Sequence, residues 1–179
     1  MIFWKPFLHA GVRYDLSHLH PTTITYLQPA QEGKPERAYK VDVIFSLHCF
    51  TRGQLQDEKR DKHLCYSDNR ETRIFDFERY GLSKGLLSVV KELMNRPCYQ
   101  TGKDNFVVID RIDSQERIIS YEIYFDVFLA ARKVLTLRII SAYPRDEEKF
   151  GNRPKTKTRI HFGTILNNRL LKKPIVFKK

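Results

Sequence analysis

The side chains with the most chemical potential fall between residues 48 and 84. The stretches "HCFTRG" and "YSDNRETRIFDFERYGLSK" supply His48, Arg52, Arg70, Arg73, Arg79, Tyr80, Ser83 and Lys84. A histidine beside several arginines is the composition that metal-independent cleavage of a phosphodiester needs. Imidazole exchanges protons near neutral pH, and guanidinium groups stabilise the charge that grows on the phosphorane. The plain alternative is that each arginine is a solvated loop residue.

A second group lies in "TLRIISAYPRD". Leu135, Leu137 and Ile139 alternate with Thr136, Arg138 and Ile140, which places Arg138 on the side opposite the leucines. An arginine in mid-strand must meet a carboxylate, a phosphate or water. Pro144 cannot donate to a sheet ladder, so the strand is expected to end near Tyr143, with Tyr143 and Arg145 at a sheet rim. A cross-strand pair between Arg138 and Glu122 is the structural alternative.

A third group is the tail "RPKTKTRIH", which alternates Arg153, Lys155, Lys157, Arg159 and His161 and would show one basic edge if extended. Aromatic residues interleave with basic ones in "RIFDFERYGL" and "KFGNRPKTKTRIHFG", the pattern of base stacking beside phosphate-binding cations. Core packing accounts for many such aromatics in any β-rich domain. His48, Cys49, His63 and Cys65 look like a zinc quartet. On a strand, however, His48 and Cys49 would point to opposite faces, so no metal is expected. No Walker loop, GxGxxG, HExxH or GxSxG occurs, and no cofactor is expected.

The elements that must position these groups read as an α+β fold: an antiparallel β-sheet with one main helix, about 83–95, packed on a face. "TTITYLQ" and "YKVDVIFSLHCF" read as strands, the second running to Phe50 with Val41, Val43, Phe45, Leu47 and Cys49 on its core face and His48 on the other. In "YGLSKGLLSVVKELMNRP", Leu82, Leu86, Val89, Val90 and Leu93 recur at helical spacing. Ser83 is the expected N-cap, Leu82 and Leu87 the staple, and Pro97 the stop. "NFVVIDRI", "RIISYEIYFDVF", "KVLTLRIISAY", "TKTRIHFGTILNN" and the terminal "KPIVFKK" read as further strands.

The chain has 179 residues, which fits a single domain with a substantial core. Its 32 Lys+Arg exceed 21 Asp+Glu, a formal charge of +11, which favours an anionic partner. Nucleic acid is expected, RNA ahead of DNA, with an acidic protein as the other candidate. Three cysteines cannot all pair within one chain, and no segment approaches the length of a signal peptide core or a spanning helix. A cytoplasmic protein without a membrane partner is the expectation.

The segment "YEIYFDVFLAARKVLTLRIISAYPRD" resembles the small basic toxin ribonucleases of the RelE and BrnT type over residues 118–146. There a "hydrophobic-R-hydrophobic-hydrophobic-S-A" strand recurs, and a helix packs on an antiparallel sheet. The wider run is similar to plasmid and mobile-element proteins that carry a growth-adaptation label. The resemblance implies RNA cleavage without metal. On the residues themselves, His48, Arg73, Arg79, Arg138 and Tyr143 are the catalytic candidates. Arg52, Arg70, Lys84, Arg145, Arg153, Lys155, Lys157 and Arg159 are candidates for nucleic-acid binding. A non-catalytic binding or regulatory module, or a protein that docks an acidic partner, would use the same cations.

Overall fold

The computed structural model describes residues 2–30, 35–59, 61–101, 105–114, 117–130, 134–145 and 158–176. It is a β-dominated mixed fold. A seven-stranded sheet uses β3 (Thr22–Gln28), β4 (Arg37–Phe45), β8 (Cys98–Gln100), β9 (Phe106–Ser114), β10 (Arg117–Leu129), β11 (Leu135–Arg145) and β12 (Arg159–Ile160). Their order is β12-β8-β9-β10-β11-β4-β3. Every neighbouring pair is antiparallel except β4 and β11, which run parallel. The sheet is therefore mixed, because the long connection from β4 to β11 lets the chain return in the same direction.

A smaller antiparallel sheet, ordered β5-β7-β6, is inserted in that connection: β5 is Thr51–Arg52, β6 Cys65–Ser67 and β7 Thr72–Phe75. An N-terminal hairpin joins β1 (Phe7–His9) to β2 (Val12–Tyr14) through Ala10 and Gly11, both at positive φ, as a two-residue hairpin turn requires.

The core faces are as the alternation predicts. Val41, Val43 and Phe45 on β4, Tyr121, Ile123, Phe125 and Val127 on β10, and Leu135, Leu137 and Ile139 on β11 are all buried. The strand through residues 39–50 is shorter than expected. Ser46 ends it, because its hydroxyl oxygen accepts from the His48 backbone N–H at 3.2 Å and turns the chain into a 3-10 helix over Leu47–Cys49.

The expected helix over 83–95 is instead three short pieces. These are α1 (Phe77–Ser83), α2 (Leu86–Lys91) and a 3-10 turn at Leu93–Asn95. The N-cap is Asp76, whose carboxylate accepts from the Arg79 N–H at 3.0 Å. Ser83 is no cap. It closes α1 in the interior, its hydroxyl donating to the Tyr80 carbonyl at 2.7 Å. The apolar stripe was legible all the same: Leu86, Val89, Val90 and Leu93 are buried, and Tyr26 Oη on β3 donates to the Val90 carbonyl at 2.7 Å.

"TKTRIHFGTILNN" also differs from its reading as a strand. Only Arg159–Ile160 pairs, after which α3 spans Phe162–Leu170. His161 caps it, Nδ1 accepting from the Gly163 N–H at 3.2 Å, and Phe162, Ile165 and Leu166 are buried at helical spacing. Residues 173–176 of the terminal segment are not a strand, although Ile175 is buried.

Strand β11 continues through Pro144 to Arg145. Its pairing with β4 covers only Leu135 to Ile139, so Pro144 sits on an edge stretch where a missing N–H is tolerated. A bulge decides the faces. Tyr124 opposes Ser141 while Phe125 opposes Ile139, which leaves Ile140 as the extra residue. Arg138 and Tyr143, five positions apart, consequently share one side of the sheet, opposite Asp126 and Glu122 of β10.

Candidate functional site

One continuous polar network links the small sheet, α1 and the end of β10–β11. His48 Nε2 lies 2.7 Å from Glu71 Oε1, and the other Glu71 oxygen is 3.4 Å from Arg73 Nη1. Strand β7 delivers Arg73, whose Nε donates to Thr51 Oγ1 at 3.0 Å. That hydroxyl donates in turn to the Leu47 carbonyl at 2.7 Å. The 3-10 turn carrying His48 is thereby held from below.

Arg79 on α1 reaches the same turn. Its Nη1 donates to the Thr51 carbonyl at 2.9 Å and to the His48 carbonyl at 3.5 Å. Its Cζ lies 5.1 Å from the Tyr143 ring centroid, a cation–π contact. Tyr143 stacks on Tyr124 at 5.7 Å between centroids. Tyr124 Oη donates to Glu122 Oε2 at 2.7 Å, and Arg145 Nη1 is 3.4 Å from Glu122 Oε1. Glu122 is completely buried, so its charge is answered by the Arg145 guanidinium and the tyrosine hydroxyl.

The electrostatics follow from these contacts. The hydrogen bond from His48, and after it Arg73, hold the Glu71 carboxyl below the usual glutamate value against the opposing effect of burial. Burial lowers the Arg79 pKa, with Asp76 at 3.9 Å acting the other way. Burial, then the hydrogen bond to Glu122, raises the Tyr124 hydroxyl. The site thus has a fixed anion at Glu71 and a histidine whose side chain is one-third exposed, at 33%. With Nε2–H donated to Glu71, Nδ1 carries the lone pair and is the atom free to take a proton.

Of the five residues expected to be catalytic, His48, Arg73, Arg79 and Tyr143 fall in this network. Arg138 does not. It stands opposite Asp126, 3.7 Å from its carboxylate, with its guanidinium carbon 5.7 Å from the Phe128 ring centroid. Asp126 is four positions from Glu122 along β10, about 13 Å at the strand rise. The alternative Arg138–Glu122 pair is also absent, since Glu122 opposes Tyr143 and pairs with Arg145.

Arg145 therefore joins the network and Arg52 touches it, its Nε 3.8 Å from the Asp76 carboxylate that Arg79 also faces, while the other expected nucleic-acid contacts are scattered. Arg52 is bidentate on Glu58 at 2.5 and 2.6 Å, Arg70 lies 3.1 Å from Asp68, and Lys84 Nζ is 4.8 Å from the Tyr80 ring centroid. Arg159 is exposed on edge strand β12. Arg153, Lys155 and Lys157 lie outside the described residues.

Sequence reasoning missed Glu71, Thr51 and Tyr124, and it named Glu122 only as a partner for Arg138. Glu71 meets His48 only because β7 pairs with β5, a contact 23 residues apart. The argument that strand alternation separates His48 from Cys49 fails, since both lie in the 3-10 turn. Cys49 is buried, and its thiol is pushed up to about 12 by that burial. Among the described residues no group of three or more His, Cys, Asp or Glu is placed to hold a metal ion, and no helix is long and apolar enough to cross a membrane.

Comparison with protein families matches residues 6–170 to the YjaZ family. The chain belongs to that family. It is also similar to Protein YjaZ of Escherichia coli (strain K12), 32% identical over 177 residues that cover 96% of this chain and 95% of the relative. No solved structure matches. This near full-length match overturns the resemblance to RelE and BrnT toxins, which rested on one strand pattern within residues 118–146.

Proposed function

We propose that this YjaZ-family chain acts on RNA as a metal-independent endoribonuclease, with His48 and Glu71 as its acid–base pair. The observation that carries the proposal is the 2.7 Å contact between His48 Nε2 and Glu71 Oε1, flanked by Arg73 and Arg79. Glu71 fixes the ring so that Nδ1 faces the substrate and takes the proton of the attacking ribose hydroxyl. The protonated ring then serves the leaving oxygen, and Arg73 stabilises the charge on phosphorus. Tyr143, held under Arg79, and Arg145 shape the rim on which the strand rests. Arg138 has no part in this chemistry. The formal charge of +11 supports an anionic polymer as substrate.

A second reading is favoured by a specific observation. Arg79 directs donors to the Thr51 and His48 carbonyls, and Arg73 directs Nε to the Thr51 hydroxyl. Those are the contacts of a rigid frame, and a frame is sufficient for a module that binds nucleic acid without cutting it.

Incubation of the purified chain with total RNA and with plasmid DNA, with and without EDTA, separates the two. Cleavage of RNA in EDTA, reduced about 100- to 10,000-fold in His48→Ala with a melting temperature lowered by no more than about 3 °C, is the expected result. Salt-sensitive binding without cleavage supports the module. Binding to neither polymer removes both and favours an acidic protein partner.

A further inference from the structure

We propose that the hollow between residues 2–5 and the turn joining β6 to β7 is a nucleobase pocket for single-stranded RNA, a proposal that rests on the RNA reading above. The hollow has a volume of about 460 Å³, and its lining includes Phe3, Trp4, Lys5, Tyr66, Asp68 and Asn69. That size suits a nucleotide unit.

The decisive group is Trp4. Only 4% of it is exposed, its ring packs edge-on against Phe50 at 5.3 Å and Tyr66 at 6.2 Å, and its Nε1–H meets no acceptor among the described residues. Indole nitrogen can only donate, so a buried one without a partner calls for an acceptor from outside. The carbonyl or ring nitrogen of a base supplies it.

The other walls fit the same ligand. Phe3 leaves 65% of its surface exposed, a platform on which a base stacks. Asn69 is exposed and carries a donor and an acceptor side by side, the arrangement that reads a base edge. Lys5, also exposed, answers the phosphate. Tyr66 Oη donates to the Lys5 carbonyl at 2.8 Å and so fastens the N-terminal segment to the turn. Asp68 is already engaged, its Oδ1 accepting from the Arg70 and Glu71 N–H groups at 2.9 and 3.0 Å.

That last contact joins the pocket to the chemistry. The turn whose Ser67, Asp68 and Asn69 line the hollow also carries Glu71, which holds His48. A base seated there would decide which sequence is presented to the pair, which makes the hollow a specificity pocket.

Trp4 is the sole tryptophan of the chain, so its emission reports directly on this hollow. An eight-nucleotide single-stranded RNA and an abasic oligomer of the same length and charge are titrated into the full chain. The RNA is expected to change Trp4 emission saturably, and the abasic oligomer is not. In anisotropy with labelled RNA, Phe3→Ala and Trp4→Phe should each weaken binding about five- to 100-fold, and Asn69→Ala should change the preferred base. Phe3 and Asn69 are exposed, so unchanged melting temperatures separate these losses from misfolding.

Equal emission changes with both oligomers, or RNA affinity indifferent to Phe3→Ala and Asn69→Ala, would overturn the pocket and leave the RNA reading standing. Absence of binding to either oligomer would remove the RNA reading. The pocket then survives only if uridine or adenosine monophosphate shifts Trp4 emission where inorganic phosphate does not.

Discussion

Glu122 and Asp126 stand four positions apart on the same side of β10, and arginines answer each of them, yet the two places differ in kind. Glu122 has no exposed surface, its partner Arg145 is 12% exposed, and a tyrosine hydroxyl takes its second oxygen. Asp126 is 21% exposed and shared by Arg138 and Arg169, each at 3.7 Å, with Arg138 45% exposed. Water screens the second place and is excluded from the first. A strand arginine opposite an acid therefore carries no fixed meaning. Burial decides whether it is a structural tie or a solvated surface pair.

The largest effect expected from this contrast is at Glu122. Glu122→Gln leaves the Arg145 guanidinium with a neutral neighbour in a site that water does not reach. The cost should be about 3 kcal/mol of stability, measured by urea denaturation. Because Glu122 connects through Tyr124 and Tyr143 to Arg79, the variant should also loosen the turn that carries His48. A cost below about 1 kcal/mol would mean that the two places are alike after all.

An effect of intermediate size belongs to Glu71, whose side chain is 38% exposed and whose pKa is lowered chiefly by His48. A carboxyl with a depressed folded pKa contributes stability above its unfolded value, and loses it as pH falls through the folded one. The ordinary value is 4.5, so the contribution is complete at neutral pH and disappears on the acid side of 4.5. Glu71→Gln should lower the melting temperature by roughly 1–3 °C at pH 7, the small figure reflecting solvent screening. The gap between the two proteins should close below pH 4.5. A gap that does not vary with pH would show that the hydrogen bond from His48 to the Glu71 carboxylate adds nothing.

The same contrast explains what was legible in the chain and what was not. Local periodicity carried β3, β10, the inner face of β4 and the Leu86–Val90–Leu93 stripe, because those faces answer to a period of two or 3.6. It failed where a single polar atom ended an element. The Ser46 hydroxyl stopped β4 early, Asp76 started α1 ahead of Ser83, and His161 began α3 within an apparent strand. Ser46 and Asp76 are capping residues of the preferred type, hidden in a longer apolar rhythm, whereas histidine is not, so nothing in the type of His161 announced α3. His48, Arg73, Arg79 and Tyr143 could be picked out by type. Glu71 and Glu122 could not, since their roles come from strand pairing and from one bulge at Ile140 that changes which residues share a face.

The smallest expected effect is at Arg138, and it tests the exposed side of the comparison. Arg138→Lys keeps the positive charge opposite Asp126 but loses the planar guanidinium over the Phe128 ring. Exposed pairs of this kind contribute about 0–1 kcal/mol, and Arg169 still attends Asp126 at 3.7 Å. Arg138→Lys should therefore change neither RNA cleavage nor binding, and should move the melting temperature by less than about 3 °C. Arg145→Lys, on the same strand, removes a guanidinium that is 12% exposed and bound to a fully buried carboxylate, and should lower stability several times more. The two conservative substitutions share a strand, a charge and a chemistry, and differ in access to water. If Arg138→Lys abolishes activity while Arg145→Lys leaves it intact, the site lies on the open side of the sheet rather than around His48. Equal, small effects from both would instead show that an ammonium serves the buried Glu122 carboxylate as well as the guanidinium does, and that burial does not separate the two places.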